Sequence, residues 1–478
     1  MAGIVSYSVY VPFYRLSRDT IAQAWGRASL GGERSVANND EDTITMAVSA
    51  AFECLEGIER DSIDGLFFAT TTSPYVEKQC SALIATAVDL GDELITGDYT
   101  NCLRAGTTAL RSAVDAVASG SARGVMVTGS DCRLGYPRSD FEQLFGDGAA
   151  AFIVGNSDVI ATIETRYSVV NEMLDLWRLP KDTFVQSWES RWARDEGYDA
   201  NMAKAAAEVM RRAGLVAKDF AKVVFSAGLD VRGHQRLAQK LGFDVKTQVQ
   251  DPMLAIVGNT GVPHPLITLA AALDESKPGD RILLGSYGDG VDMFILRVTD
   301  EIEKVKRRQR VKKYLESKMT IPSYERYLSY RGLLEAVPGE PFRIFPSATV
   351  TWRERESAIR CHGSKCRRCG TVAYPIQRVC ITCRAKDDFD TVRLSDQRAK
   401  VFTYSLDNLA GRSDDPTVVQ TVAESELGSA RIYCLMTDCL PSEVKVDLPV
   451  EMTFRWFYDG AGHHNYYWKC RPVRNGGE

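Results

Sequence analysis

The sequence predicts an α/β fold of two repeated halves, extended by a cysteine-rich ribbon and a small β-barrel. Three observations carry this. Residues 1–300 alternate Ala-rich helical stretches with short apolar runs bounded by glycine, the pattern of helices layered on a buried sheet. The same region repeats itself: the strand-like runs around Phe68 and Phe225 lie 157 residues apart, each after a helical stretch and a short acidic turn. Beyond residue 395, apolar residues recur at every second position in five short runs separated by turn residues, which predicts a small barrel.

Taken in order, the first half (residues 1–157) begins with a helical stretch over 43–58 and a strand over 64–70. Leu103, Leu110, Ala113, Val114 and Val117 then share one face at helical spacing. Gly124-Val-Met-Val-Thr-Gly reads as a buried central strand, and the half closes on a hairpin, Gly146-Asp-Gly-Ala-Ala-Ala-Phe-Ile-Val. The second half (residues 158–300) repeats this order with a helix over 199–213, a strand over 221–227, the central run Arg281-Ile-Leu-Leu-Gly-Ser and the hairpin Gly288-Asp-Gly-Val-Asp-Met-Phe-Ile-Leu. Residues 301–345 form a helical linker. Its charged run, Lys304-Val-Lys-Arg-Arg-Gln-Arg-Val-Lys-Lys, predicts a solvated helix between domains, and residues 324–334 predict one more helix before Pro-containing extended chain.

Residues 346–395 carry two knuckles, Cys366-Arg-Arg-Cys and Cys380-Ile-Thr-Cys. Cys366, Cys369, Cys380 and Cys383 supply four thiolates at the spacing of a closed tetrahedral zinc site, which is structural because no coordination position stays open. Cys361 and His362 lie just upstream and are left outside the ligand set. Residues 396–478 then read as five strands of an OB-fold.

Chemistry concentrates at the matching points of the two halves. The 157-residue interval that relates Phe68 to Phe225 also relates Cys102 to Asn259. Cys102 reads as the head of a helix, where free N–H groups and the helix dipole favour thiolate and should bring its pKa below the usual ~8.5. Such a thiolate attacks thioesters and carries the acyl group. Asn259, at the equivalent head, offers an amide N–H to a carbonyl or enolate oxygen. His234 and His264 are the histidines of residues 1–300. His264, one turn past Asn259, is the candidate proton carrier, whereas His234 lies in a polar, surface-like stretch and reads as structural.

A net charge of −5 gives no global attraction to nucleic acid or anionic membrane. No signal-like start and no apolar run of bilayer length are present, so the expectation is a cytoplasmic protein. Arg367, Arg368, Arg378 and Arg384 with Trp456, Tyr458, Tyr466, Tyr467 and Trp468 keep nucleic-acid binding as an alternative for the C-terminal module.

Asp98-Tyr-Thr-Asn-Cys-Leu-Arg-Ala-Gly-Thr-Thr-Ala-Leu, Phe145-Gly-Asp-Gly-Ala-Ala-Ala, Gly258-Asn-Thr-Gly and Gly285-Ser-Tyr-Gly-Asp-Gly, in this order, resemble the thiolase superfamily. The chain looks closest there to 3-hydroxy-3-methylglutaryl-CoA synthases and the ketoacyl synthases that start fatty-acid synthesis. Leu174-Asp-Leu-Trp-Arg is also similar to a segment of the former. The resemblance covers residues 1–300 and implies a five-layered α/β/α/β/α core, a homodimer, acylation of Cys102 by an acyl-CoA, and a carbonyl polarised by Asn259. Two departures are visible: Thr71 stands where the synthases carry a catalytic glutamate, and Ser226 where those families carry a catalytic histidine. His264-Pro265 is similar instead to the His-Pro pair of thiolases. The implied activity is therefore that of an acyl-CoA C-acyltransferase of thiolase type, with coenzyme A as co-substrate. A 3-hydroxy-3-methylglutaryl-CoA-synthase-like condensation of an acyl-CoA with a ketone is the first alternative, and a non-catalytic acyl-CoA or nucleic-acid scaffold the second. The zinc ribbon and OB-fold resemble accessory domains found beside thiolase-like enzymes.

Overall fold

A computed structural model describes residues 2–228, 230–305, 310–334, 347–412, 415–428 and 430–474. Nine strands form one mixed sheet: β1 Gly3–Tyr10, β2 Gly65–Thr70, β3 Ile95–Thr100, β4 Val125–Asp131, β5 Gly148–Gly155, β6 Ala161–Val170, β7 Lys222–Phe225, β8 Arg281–Tyr287 and β9 Gly290–Val298. Their order is β7-β8-β9-β6-β1-β5-β4-β2-β3. Strands β2, β3 and β4 run parallel, as do β7 and β8, while β4–β5 and β8–β9 are antiparallel pairs. The sequence repeat thus becomes a pseudo-twofold: β1, β5, β4 and β2 on one side match β6, β9, β8 and β7 on the other. The halves meet where Gly3 and Ile4 pair with Thr162 and Ala161.

Each half supplies an outer and a central helix. The outer pair, α1 Thr43–Cys54 and α3 Ala200–Ala213, pack on the strands of their own halves. Asp42 caps α1, accepting from the N–H of Thr45 while the Thr45 hydroxyl serves the Asp42 N–H in return. The central pair are α2 Ala105–Ala118 and α4 His264–Glu275. Every residue of α4 from His264 to Leu273 is buried, as a helix apolar all round requires. The two central helices touch at Gly106, where a Cβ would come within 3.1 Å of Leu266 and 3.2 Å of Val262. The result is the α/β/α/β/α layering.

Downstream, the linker departs from the expected solvated helix. Helix Arg310–Glu316 lies against the core: Tyr314 is buried edge-on to Tyr10 with ring centroids 5.2 Å apart, and Lys313 pairs with Glu53 at 3.0 Å. Val311 and Tyr314 give it an apolar side that composition alone hides. Residues 306–309 of the basic run, and the Pro-containing stretch 335–346, lie outside the described residues. Strands His362–Cys366, Val372–Ala373 and Phe389–Arg393 build the ribbon. Five further strands, Ala399–Asp407, Val418–Ser425, Arg431–Met436, Pro449–Gly460 and His463–Pro472, close into a barrel in the order first, second, third, fifth, fourth.

The barrel is fastened to the loop ahead of α1 by buried charge. Arg455, 1% exposed, pairs with Asp40 at 3.1 Å, Glu41 at 2.8 Å and Asp438 at 2.6 Å. Lys469 reaches Asp40 at 2.9 Å, and the Tyr466 hydroxyl donates to Asp42 at 2.5 Å. Burial alone would raise the Asp438 carboxyl, but Arg455, Arg474 and Arg471 hold it well below the usual range. Among the described residues no helix is long and apolar enough to cross a membrane.

Candidate active site

Cys102 follows the edge strand β3 through Asn101, whose φ of 67° turns the chain sharply, and α2 begins at Ala105. The thiol therefore sits in the turn ahead of the helix rather than on its first turn. Its Sγ donates to the carbonyl of Gly288 at 3.2 Å, in the β8–β9 hairpin of the other half. The approach at Gly288 is close, since a Cβ there would stand 3.1 Å from Sγ and 3.0 Å from the Arg104 backbone nitrogen. Arg104 secures the approach, its Nε donating to the same carbonyl at 2.7 Å and its Nη1 pairing with Asp292 at 3.1 Å.

This placement reverses the expected pKa shift. Burial pushes the Cys102 thiol up to about 11, with the Arg104 backbone N–H pulling down and the Asp289 carboxylate pushing up. Asp289, at the hairpin tip with φ of 46°, follows Gly288 directly and is near enough for its carboxylate to act on the thiol's pKa. Its own carboxyl is raised by burial and by the neighbouring Asp175. The thiol is thus held protonated, with the Asp289 carboxylate among the charges acting on it. Iodoacetamide labelling of Cys102 is expected to accelerate continuously from pH 7 to beyond about pH 9. A plateau near neutral pH contradicts the protonated resting thiol.

Asp289 is the residue the sequence reading missed. Its repeat partner, Asp147 in Gly146-Asp-Gly, does structural duty: it pairs with Arg331 at 3.0 Å and accepts from the Ala37 N–H at 2.8 Å. The signal was present, because the same Gly-Asp-Gly tip in the second half falls opposite a cysteine.

Asn259 also stands ahead of its helix, five residues before α4, and forms a bridge with Phe145 rather than a helix head. Its N–H donates to Leu144 at 2.7 Å and its carbonyl accepts from Gly146 at 3.0 Å. Its Oδ1 accepts from the Gly261 N–H at 3.0 Å, which leaves the side-chain NH2 for the cavity it lines with Leu103, Tyr287 and Arg133. His264 opens α4, buried, with neither ring nitrogen partnered among the described residues, and burial draws its pKa down to about 3. It is a neutral ring and is not part of that cavity's lining. His234 is buried on the helix Gly233–Lys240, not at the surface its polar neighbours suggested, and burial lowers its pKa as well.

The two departing positions hold no base. The Thr71 hydroxyl donates to Asp131 at 3.0 Å, and Ser226 Oγ accepts from the Tyr287 N–H at 3.0 Å. At the ribbon, the sulfurs of Cys366, Cys369, Cys380 and Cys383 all lie within 4.8 Å of one another. Cys361 is buried away from them, and His362 is engaged by Asp89 at 2.9 Å and Glu356 at 3.3 Å. Arg367, Arg368 and Arg378 pair at the surface with Asp390, Asp388 and Asp387, and Trp468 is buried.

Residues 78–168 match the family 3-Oxoacyl-[acyl-carrier-protein (ACP)] synthase III. The chain is 33% identical over 350 residues to a hydroxymethylglutaryl-CoA synthase of Archaeoglobus fulgidus, covering 70% of this chain and 100% of that protein. It is 31% identical over 346 residues to the corresponding synthase of Methanosphaera stadtmanae, covering 70% of this chain and 99% of the relative. Among solved structures, MvaS in complex with 3-hydroxy-3-methylglutaryl coenzyme A is similar with a TM-score of 0.64 at 20% identity, over 72% of this chain and 94% of that one. The 3-oxoacyl-[acyl-carrier-protein] synthase III of Aquifex aeolicus is similar with a TM-score of 0.56 at 23% identity, over 62% and 100%. The fold is thiolase-like and the chemistry is that of an acyl-condensing acyltransferase. With relatives more than 30% identical matched over essentially their whole length, the chain belongs to the hydroxymethylglutaryl-CoA synthase family.

Proposed function

We propose that the enzyme condenses an acyl-CoA with the ketone of a β-ketoacyl-CoA through an acyl-Cys102 intermediate, in the manner of 3-hydroxy-3-methylglutaryl-CoA synthases. The observation that carries this reading is the Cys102 thiol hydrogen-bonded to Gly288 in the Gly-Asp-Gly hairpin of the other half, with Asn259 on the cavity that Leu103 lines beside it. This condensation replaces thiolase-type acyl transfer as the first reading, because the full-length relatives are synthases.

Asp289 takes the Cys102 proton as sulfur attacks the thioester carbon, and the departing coenzyme A thiolate receives that proton. Asp289, ionised again, removes a proton from the carbon next to the Cys102 thioester. The resulting carbanion adds to the acceptor ketone, whose oxygen is held by the Asn259 NH2 and protonated by Asp289. Water then cleaves the Cys102 thioester, releasing the carboxylate product and the free thiol. A carboxylate base at Asp289 makes good the absence of one at Thr71, and His264, a fully buried neutral ring, is left out of this proton path. Incubation with acetyl-CoA and acetoacetyl-CoA is expected to yield a tertiary alcohol product faster than acetoacetyl-CoA is cleaved by coenzyme A. Cleavage without condensation contradicts the proposal and favours the thiolase reading.

We also assign the four-cysteine cluster to structural zinc. Sγ of Cys366 and Cys383 are 3.6 Å apart and those of Cys369 and Cys380 3.5 Å, near the ~3.8 Å edge of a tetrahedron with Zn–S of about 2.3 Å. The purified protein is expected to carry one zinc per chain, and Cys380→Ser to lose it and melt at lower temperature. Wild type with no bound metal contradicts the assignment. The barrel is read as an OB-fold, and the exposed edge of β3, next to Cys102, as the pairing surface of a cytoplasmic homodimer.

A further inference from the structure

Arg133 is a buried arginine with nothing to hold. It follows β4, is 3% exposed, and makes no hydrogen bond or ion pair among the described residues; its Nη1 is sealed from solvent without a partner. Other deeply buried arginines each hold at least one acceptor, Arg34 through its Nη1 to the Glu142 carbonyl at 2.6 Å although its Nε and Nη2 are unpartnered among the described residues. Arg15 donates to the carbonyls of Pro12, Tyr14 and Tyr314, and Arg18 to those of Gln143, Gly31 and Leu254, while Arg455 holds three carboxylates. Taking a guanidinium out of water is strongly unfavourable unless an acceptor replaces the water.

The neighbouring carboxylates are already committed. Asp131 accepts from the hydroxyls of Thr70, Thr71 and Thr72 and from the N–H groups of Thr71 and Val262. Asp175 accepts from the Tyr287 hydroxyl at 2.7 Å and from the Leu176 N–H. Asp230, on the same cavity, is taken by Arg236 at 3.0 and 2.7 Å. The Arg133 guanidinium lies over the Phe145 ring, its Cζ 4.3 Å from the centroid, and the residue lines the cavity with Phe141, Leu144, Leu254 and Asn259. Gly261 makes room for its stem, since a Cβ there would stand 2.8 Å from Arg133 Cδ in a backbone of φ +78°. Burial draws its pKa down to about 10, so it keeps its charge at neutral pH.

Asn259 shares this cavity and, in the proposed reaction, holds the acceptor's ketone oxygen. A substituent on that ketone would share the cavity with Arg133. We propose that Arg133 binds a carboxylate carried by the ketone substrate, so that the acceptor is a β-ketoacyl-CoA ending in a carboxylate rather than a methyl group. The placement of that group rests on the proposed condensation; the unpaired guanidinium does not.

The test compares two ligands of equal chain length, 3-oxoadipyl-CoA and 3-oxohexanoyl-CoA, by calorimetric titration of Cys102→Ala protein, which binds without turnover. The charged ligand is expected to bind at least about tenfold more tightly. Arg133→Met should bring the ratio to near one, and Arg133→Lys should retain part of it. Equal binding of the two ligands, or a preference that survives Arg133→Met in protein of unchanged melting behaviour, overturns the proposal. If Arg133→Met does not fold, loss of most of the preference in Arg133→Lys supports the bidentate carboxylate contact, and an undiminished preference there overturns it. Turnover separates the two readings. A carboxylate preference in an enzyme that never forms acyl-Cys102 sinks the condensation and keeps the Arg133 site, whereas condensation with indifferent binding does the reverse.

Discussion

Replacing Cys102 by alanine is expected to remove condensation activity by at least about 10³-fold while leaving the fold intact. The side chain is half-buried and its one hydrogen bond goes to the Gly288 carbonyl at 3.2 Å, so its loss opens little space and strands no buried charge. The hairpin stays anchored by Arg104, through Gly288 and Asp292, and by Thr107 and Thr108, which donate to Asp292 at 3.0 Å. Circular dichroism and melting should match wild type. Residual turnover within tenfold of wild type would place the nucleophile elsewhere.

Asp289→Asn produces two opposite effects. As the base, Asp289 should contribute about 10²–10⁴-fold, so turnover falls by that factor. Its charge also disfavours the thiolate, so removing it lowers the Cys102 pKa and speeds iodoacetamide labelling at pH 8.5. A merely structural aspartate would slow both or neither. Asp289 has an exposed outer side and its main-chain φ of 46° suits asparagine as well as aspartate, so the substitution is mild for the backbone.

Much of the fold was legible because it is written in local periodicity. The helices over 43–54 and 200–213, the central strands and the closing hairpins fall where apolar spacing and glycine punctuation put them, and the repeat carried Cys102 and Asn259 to matching places. The cysteine knuckles were legible for the same reason, as short fixed spacings. What failed was detail at helix starts. Apolar spacing runs back to Leu103, yet α2 begins at Ala105, because the turn at Asn101 has to bring the thiol beneath Gly288. The direction of the thiol's pKa shift followed from that error. Long-range charge was invisible altogether. Arg455 and Asp40 are 415 residues apart in the chain, and no spacing rule foretells that they pair. Arg133 and Asp289 were missed likewise, since their importance comes from what surrounds them in space.

The most direct measurement is peptide mapping by mass spectrometry after incubation with acetyl-CoA and rapid acid quenching. One acetyl group on the peptide containing Cys102, absent from Cys102→Ala and discharged on adding acetoacetyl-CoA, is the outcome required by an acyl-enzyme at that thiol. An unmodified Cys102, or acetyl found instead on Cys80 or Cys132, contradicts it.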